Sequence, residues 1–166
     1  VNGPSPIIAA FWDDLDLASG NVCYYHNSGN STFIIEWSRV RNKYNNATET
    51  FQIILYDNIE YPTSNNNSKI KIQFKDFNNV NQGEYGSYHV SHGQYATIGL
   101  ENEDGTKGLQ YTFNNEYPLA AKELEDETAI LFSMMKLIWF SEVPNSQTKM
   151  TTVSSMPVKK SNYRLD

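Results

Sequence analysis

The chain has 166 residues, 39% hydrophobic and 13% aromatic, which is too apolar and aromatic for a disordered polymer and long enough to bury one core unaided. A formal net charge of -6 and a pI near 5.0 argue against a nucleic-acid footprint or an anionic-membrane surface, because 13 basic residues are scattered among 19 acidic ones. The single Cys23 rules out an internal disulfide and with it a disulfide-stapled minidomain.

Residues 7–12 read as an apolar strand that runs into the acidic turn Asp13-Asp14-Leu15-Asp16. Asp13, Asp14 and Asp16 are hard oxygen donors of the kind Ca²⁺ gathers, so calcium is the one cofactor the sequence suggests. The competing reading is structural: Asp side chains cap turn amides and fix the strand exit. Residues 22–26 follow as a strand in which Cys23, between apolar neighbours, reads as a small buried hydrophobe. In residues 32–40, Phe33, Ile35 and Trp37 alternate with Ile34, Glu36 and Ser38, and residues 50–57 repeat the pattern with Phe51, Ile53 and Leu55. The polar link between them, which contains Tyr44, predicts a hairpin of two central strands.

Residues 69–75 place Ile70, Ile72 and Phe74 on one face and Lys69, Lys71, Gln73 and Lys75 on the other, predicting one buried and one wet face. Residues 77–93 contain three glycines and no apolar alternation; they predict an ordered loop or insertion in which Tyr85, Tyr88, His89 and His92 are candidate binding residues. Strands over 95–101 and 109–113 flank Asp104-Gly105, the signature of a two-residue primed turn. Residues 119–126 carry the only short helical pattern, and 129–132 and 137–141 predict two last strands. The longest apolar run, 130–140, is interrupted by Ser133 and Lys136 and is too short for a membrane-spanning helix. The fold class is therefore all-β, an antiparallel β-sandwich of jelly-roll type with at most one short helix. Residues 1–143 form the sandwich and 144–166 a terminal strand or a linker to a following domain. The start at Val1 suits a mature product or an excised piece of a longer chain.

Chemistry is sparse. A glycosidase would need two converging carboxylates, drawn from the Asp turn with Glu36 or Glu101, and sequence supplies no such distance. His26, His89 and His92 lack the spacing of a zinc site. Exposed tyrosines stack on sugars or anchor protein partners, which makes Tyr24, Tyr44, Tyr61, Tyr85 and Tyr88 candidates, with ordinary sheet usage as the alternative. Trp12, Trp37 and Trp139 read as core, and the sequons at Asn30, Asn46 and Asn66 are what an Asn-rich chain produces by chance.

The ordered series Ile7-Ile8-Ala9-Ala10-Phe11-Trp12-Asp13-Asp14-Leu15, Val22-Cys23-Tyr24-Tyr25, Phe33-Ile34-Ile35-Glu36-Trp37, Thr50-Phe51-Gln52-Ile53-Ile54-Leu55-Tyr56 and Ala96-Thr97-Ile98-Gly99-Leu100-Glu101-Asn102 resembles a β-sandwich module of secreted bacterial surface proteins and exported peptidases. More distantly it is similar to the nidogen-like extracellular domain, with its Phe-Trp-x-Asp entry and Thr-Phe-Gln strand. The resemblance implies a non-catalytic extracellular or cell-surface module, one of several domains in a parent chain. It departs from the bacterial pattern at Ala10 and in the 77–93 segment. The expected function is adhesion, carbohydrate or protein binding, or scaffolding at the cell exterior. The alternatives are an accessory domain of a secreted peptidase, a self-assembling surface subunit and a glycoside hydrolase. The expected partners are a carbohydrate or protein ligand and other domains of the parent, without nucleic acid or membrane insertion.

Overall fold

The computed structural model describes residues 5–42, 47–79 and 95–133, together with the backbone of 154–157. Among the described residues there are ten strands: β1 (Ile7–Trp12), β2 (Leu15–Asp16), β3 (Asn21–Asn27), β4 (Thr32–Asn42), β5 (Thr48–Tyr56), β6 (Ile70–Asp76), β7 (Thr97–Glu101), β8 (Gly108–Thr112), β9 (Thr128–Phe132) and β10 (Ser154–Pro157). They form two antiparallel sheets. The smaller has the order β1-β7-β8; the larger runs β10-β9-β6-β5-β4-β2, with β3 also paired to β4. The all-β sandwich expected from period-two alternation is what the chain adopts.

The interior is written in the alternation of β4, β5 and β6. Trp37 opposes Phe51, which opposes Phe74; Ile35 opposes Ile53, which opposes Ile72 and then Ile130. Phe51 stacks between Trp37 (5.0 Å, 12°) and Phe11 of the facing sheet (5.8 Å, 20°). Ala10, Phe11, Ile98 and Tyr111 close the core from the smaller sheet. Burying an aromatic of this kind contributes roughly 3 kcal/mol or more, because its removal leaves both a transfer loss and a cavity.

Bulges set which residues face inward. In β4 the pairing steps from Trp37↔Phe51 to Val40↔Glu49, so Ser38 and Arg39 together oppose Thr50. Arg39 has a φ of 53°, and its amide donates to Thr50 Oγ1 at 3.2 Å. The extra residue re-phases the strand, turning Val40 and Asn42 into the interior and Arg39 outward. A second bulge lies in β1, where Ala10 and Phe11 fit between Ala9↔Gly99 and Trp12↔Thr97. It brings both Ala10 and Phe11 into the core and turns Trp12 to solvent, 47% exposed, so the assignment of Trp12 to the core is corrected. Trp37 packs as expected, and Trp139 lies outside the described residues.

Three local expectations also change. The β7–β8 hairpin forms, but its loop is longer than Asp104-Gly105: Asn102 N–H donates to Lys107 C=O at 2.9 Å and Gly105 N–H to Asn102 C=O at 3.2 Å. Only Gly105 takes positive φ (67°) in that loop, so a four-residue connection replaces the two-residue primed turn. Residues 119–126 are turn and irregular chain, with Ala121 N–H bonded to Pro118 C=O. Tyr111 donates its hydroxyl to Lys122 C=O at 2.7 Å and Leu124 is buried against the core, so tertiary anchors override the weak helical propensity. On the outer face of the larger sheet, Ile54, Gln73 and Ala129 are buried, so the face opposite Ile70, Ile72 and Phe74 is not uniformly wet.

Candidate binding surface

The acidic turn resolves into capping and pairing. Asp13 Oδ1 accepts the Asp14 amide at 2.8 Å, and Asp16 Oδ1 accepts the Ala18 amide at 3.0 Å. Asp16 also meets Arg41 of β4, with Nη2 donating to Oδ2 at 2.6 Å and Nε donating to both carboxylate oxygens at 3.2 Å. Among the described residues, no three His, Cys, Asp or Glu side chains gather with a geometry suited to a metal ion. Tyr44, Tyr85, Tyr88, His89 and His92 lie outside the described residues. Of the carboxylates considered for sugar hydrolysis, Glu36 stands on the outer face of the larger sheet, where it accepts the Gln52 side-chain amide. Gln73 extends that ladder by donating to Gln52 at 2.6 Å. Glu101 ends β7 in the smaller sheet and accepts the Ser5 hydroxyl at 2.7 Å.

Three features present themselves for binding. The first is β3, whose residues are exposed along almost its whole length: Tyr24 is 77% exposed, Tyr25 62% and Val22 43%. Tyr24 stacks on Phe33 of β4 (5.7 Å, 21°), so the edge continues as an apolar strip onto the sheet face. The strand exists because Asn21 through Asn27 pair residue for residue with Ser38 back to Thr32, and its outer edge lies at the margin of the larger sheet. Cys23 is exposed here, correcting its reading as a buried hydrophobe; an edge strand with both faces open has no interior side on which to place it.

The second feature is a cavity of about 460 Å³ at the end of the sandwich where residues 77–79 leave β6. Its lining is polar, including Asn78, Asn79, Asn115, Glu123, Glu125 and Asp126. Asp126 Oδ1 accepts the Phe77 amide at 2.7 Å, and Asn79 Oδ1 accepts the Ala96 amide at 2.8 Å, while Asn79 Nδ2 is buried with no hydrogen-bond partner among the described residues. Behind this cavity lies Glu49, wholly buried, with Oε2 accepting the Asn78 amide at 2.7 Å and Oε1 without a partner among the described residues. Burial pushes the Glu49 carboxyl up to about 7; the charges of Asp126, Asp13 and Asp76 add to the rise and the Asn78 amide opposes it. The sequence reading passed over Glu49, although its parity with Phe51, Ile53 and Leu55 marks it as inward-facing.

The third feature is an apolar cavity of about 580 Å³ at the opposite end, floored by Ile7, Ile8, Ile70, Leu100, Leu109 and Phe132. Its polar rim is engaged in its own turn, because Asn102 donates to Asp104 at 2.7 Å and accepts the Lys107 amide at 2.8 Å.

This is the architecture of an all-β sandwich module whose accessible chemistry is aromatic and hydrogen-bonding. The chain belongs to the NIDO-related family, whose model matches residues 1–164, so the similarity to the nidogen-like domain holds across the sequence and the protein is a module of the extracellular type. Comparison with curated proteins and with solved structures returned no match.

Proposed function

We propose that this NIDO-related domain is a non-catalytic contact module at the cell exterior that binds an extended segment of a protein partner along β3. The observation that carries the reading is the exposure of Val22, Tyr24 and Tyr25 on an uncharged edge strand. Edge strands bind by adding a strand, with backbone hydrogen bonds giving affinity and alternate side chains giving selectivity. Tyrosine supplies large contact area with little entropy to lose. A second reading, carbohydrate binding, is favoured by one observation, the buried Asn79 Nδ2 in the polar cavity beside Asp126, which has no hydrogen-bond partner among the described residues.

The two are separated by screening the 166-residue chain against displayed extended peptides and against a glycan array, with and without a calcium chelator. The protein-contact reading expects selected peptides that lose about tenfold or more in affinity when Tyr24→Lys is introduced and are indifferent to Asp126→Asn. Glycan capture that needs Asp126 and survives Tyr24→Lys would overturn it in favour of the sugar site.

A further inference from the structure

We infer that β3 is a self-recognition edge, on which a second copy of this chain pairs antiparallel about a two-fold axis through Tyr24. The inference rests on the reading of β3 as the contact strand and names its partner.

Native sheets protect their edges with lysines, prolines, bulges or very short strands. Residues Asn21, Val22, Cys23, Tyr24, Tyr25, His26 and Asn27 include no Lys, Arg, Asp, Glu or Pro, and their pairing with β4 runs through without a register shift. The strand is seven residues long, an open edge of roughly 24 Å. Three of the large hydrophobic side chains exposed among the described residues stand on it.

Charge does not oppose this occupant at this edge. The chain carries a formal net charge of -6, so two copies repel over most of their surfaces, whereas this edge brings no formal acid against its own image. A two-fold axis at Tyr24 sets Asn21 against the second copy's Asn27, Val22 against His26 and Cys23 against Tyr25, with the two Tyr24 side chains as neighbours. Val22, Tyr24 and His26 share the face of Trp37, Ile35 and Phe33, so pairing continues the apolar strip of each copy into that of the other. A single strand pair buries less than the roughly 1,200 Å² of standard interfaces, which makes the dimer weak and concentration-dependent.

Sedimentation of the 166-residue chain, from micromolar to near-millimolar concentration, tests it. The expected result is a reversible rise in mass toward twice 19.0 kDa, a dissociation constant at least about tenfold weaker in Tyr24→Lys, and retention in Tyr24→Phe. The register has its own readout. It places the two Cys23 residues diagonally across the new strand pair, roughly 7 to 8 Å apart, so a short bis-maleimide joins them in the parent. Far-UV circular dichroism confirms that each variant keeps its sheets. A chain that stays monomeric throughout, a dimer indifferent to Tyr24→Lys, or a dimer that Cys23 cross-linking does not trap overturns the inference. Peptide capture by a monomeric chain would do so while leaving the contact reading of β3 intact.

Discussion

Glu49 shows how one side chain sets the chemistry of its surroundings. Its carboxyl rises from 4.5 to about 7 on folding, first through burial and then through three neighbouring carboxylates. Because the folded value lies above the unfolded one, the native state holds an extra proton between these limits. The associated stability is complete below pH 4.5 and is lost as pH rises through about 7, by up to ~3 kcal/mol. Glu49→Gln mimics the protonated form, so urea unfolding at several pH values is expected to show a much flatter profile and a variant more stable than the parent above pH 7. A variant as pH-sensitive as the parent would place the titration elsewhere. The clue was present in the Glu49, Phe51, Ile53 and Leu55 series. What the sequence withheld was depth, since alternation names a face without saying how far along the strand that face stays covered.

At the scale of elements, the strands were legible because alternation and turn chemistry agreed along most of the chain: β1, β4, β5, β6 and β9 lie within a residue or two of expectation. The misses are pairing effects. Trp12 faces solvent because the Ala10-Phe11 bulge opposite Ile98 shifts the phase, and the exposure of Cys23 follows from β3 being an edge, which is decided by what pairs with β4 and not by β3 itself. Residues 17–20 connect β2 and β3, which share one side of β4, and Gly20 fits against the β4 bulge so closely that a Cβ there overlaps the carbonyl oxygens of Ser38 and Arg39. Gly20→Ala therefore forces backbone against backbone and is expected to cost roughly 1 to 3 kcal/mol. Hydrogen exchange locates the damage: β3 amides are expected to lose protection while those of β8 keep theirs, and equal loosening of both strands would contradict the account.

For the molecule as a whole, the family and the sandwich were both readable, whereas the contact surface was not, because exposure is a property of the assembled sheets. The larger sheet is mainly local, with β3, β4, β5 and β6 joined in succession. The smaller sheet pairs residues far apart in the chain, Ile7 with Glu101 and Ala9 with Gly99. Loop closure makes such pairings slow, so the successive hairpins are expected to nucleate folding. Rate measurements on Ile53→Val and Ile98→Val should give a φ-value of about 0.5 or more for the first and below about 0.3 for the second; the reverse order would reject this sequence of events. A chain emerging from a ribosome or an export channel thus passes through an interval in which Phe51, Ile53, Ile72 and Phe74 already form a greasy platform with no lid. Only when residues 97–112 arrive can they recruit the waiting strand β1, so the vulnerable moment for this protein is its birth, and a holding chaperone would find its grip there.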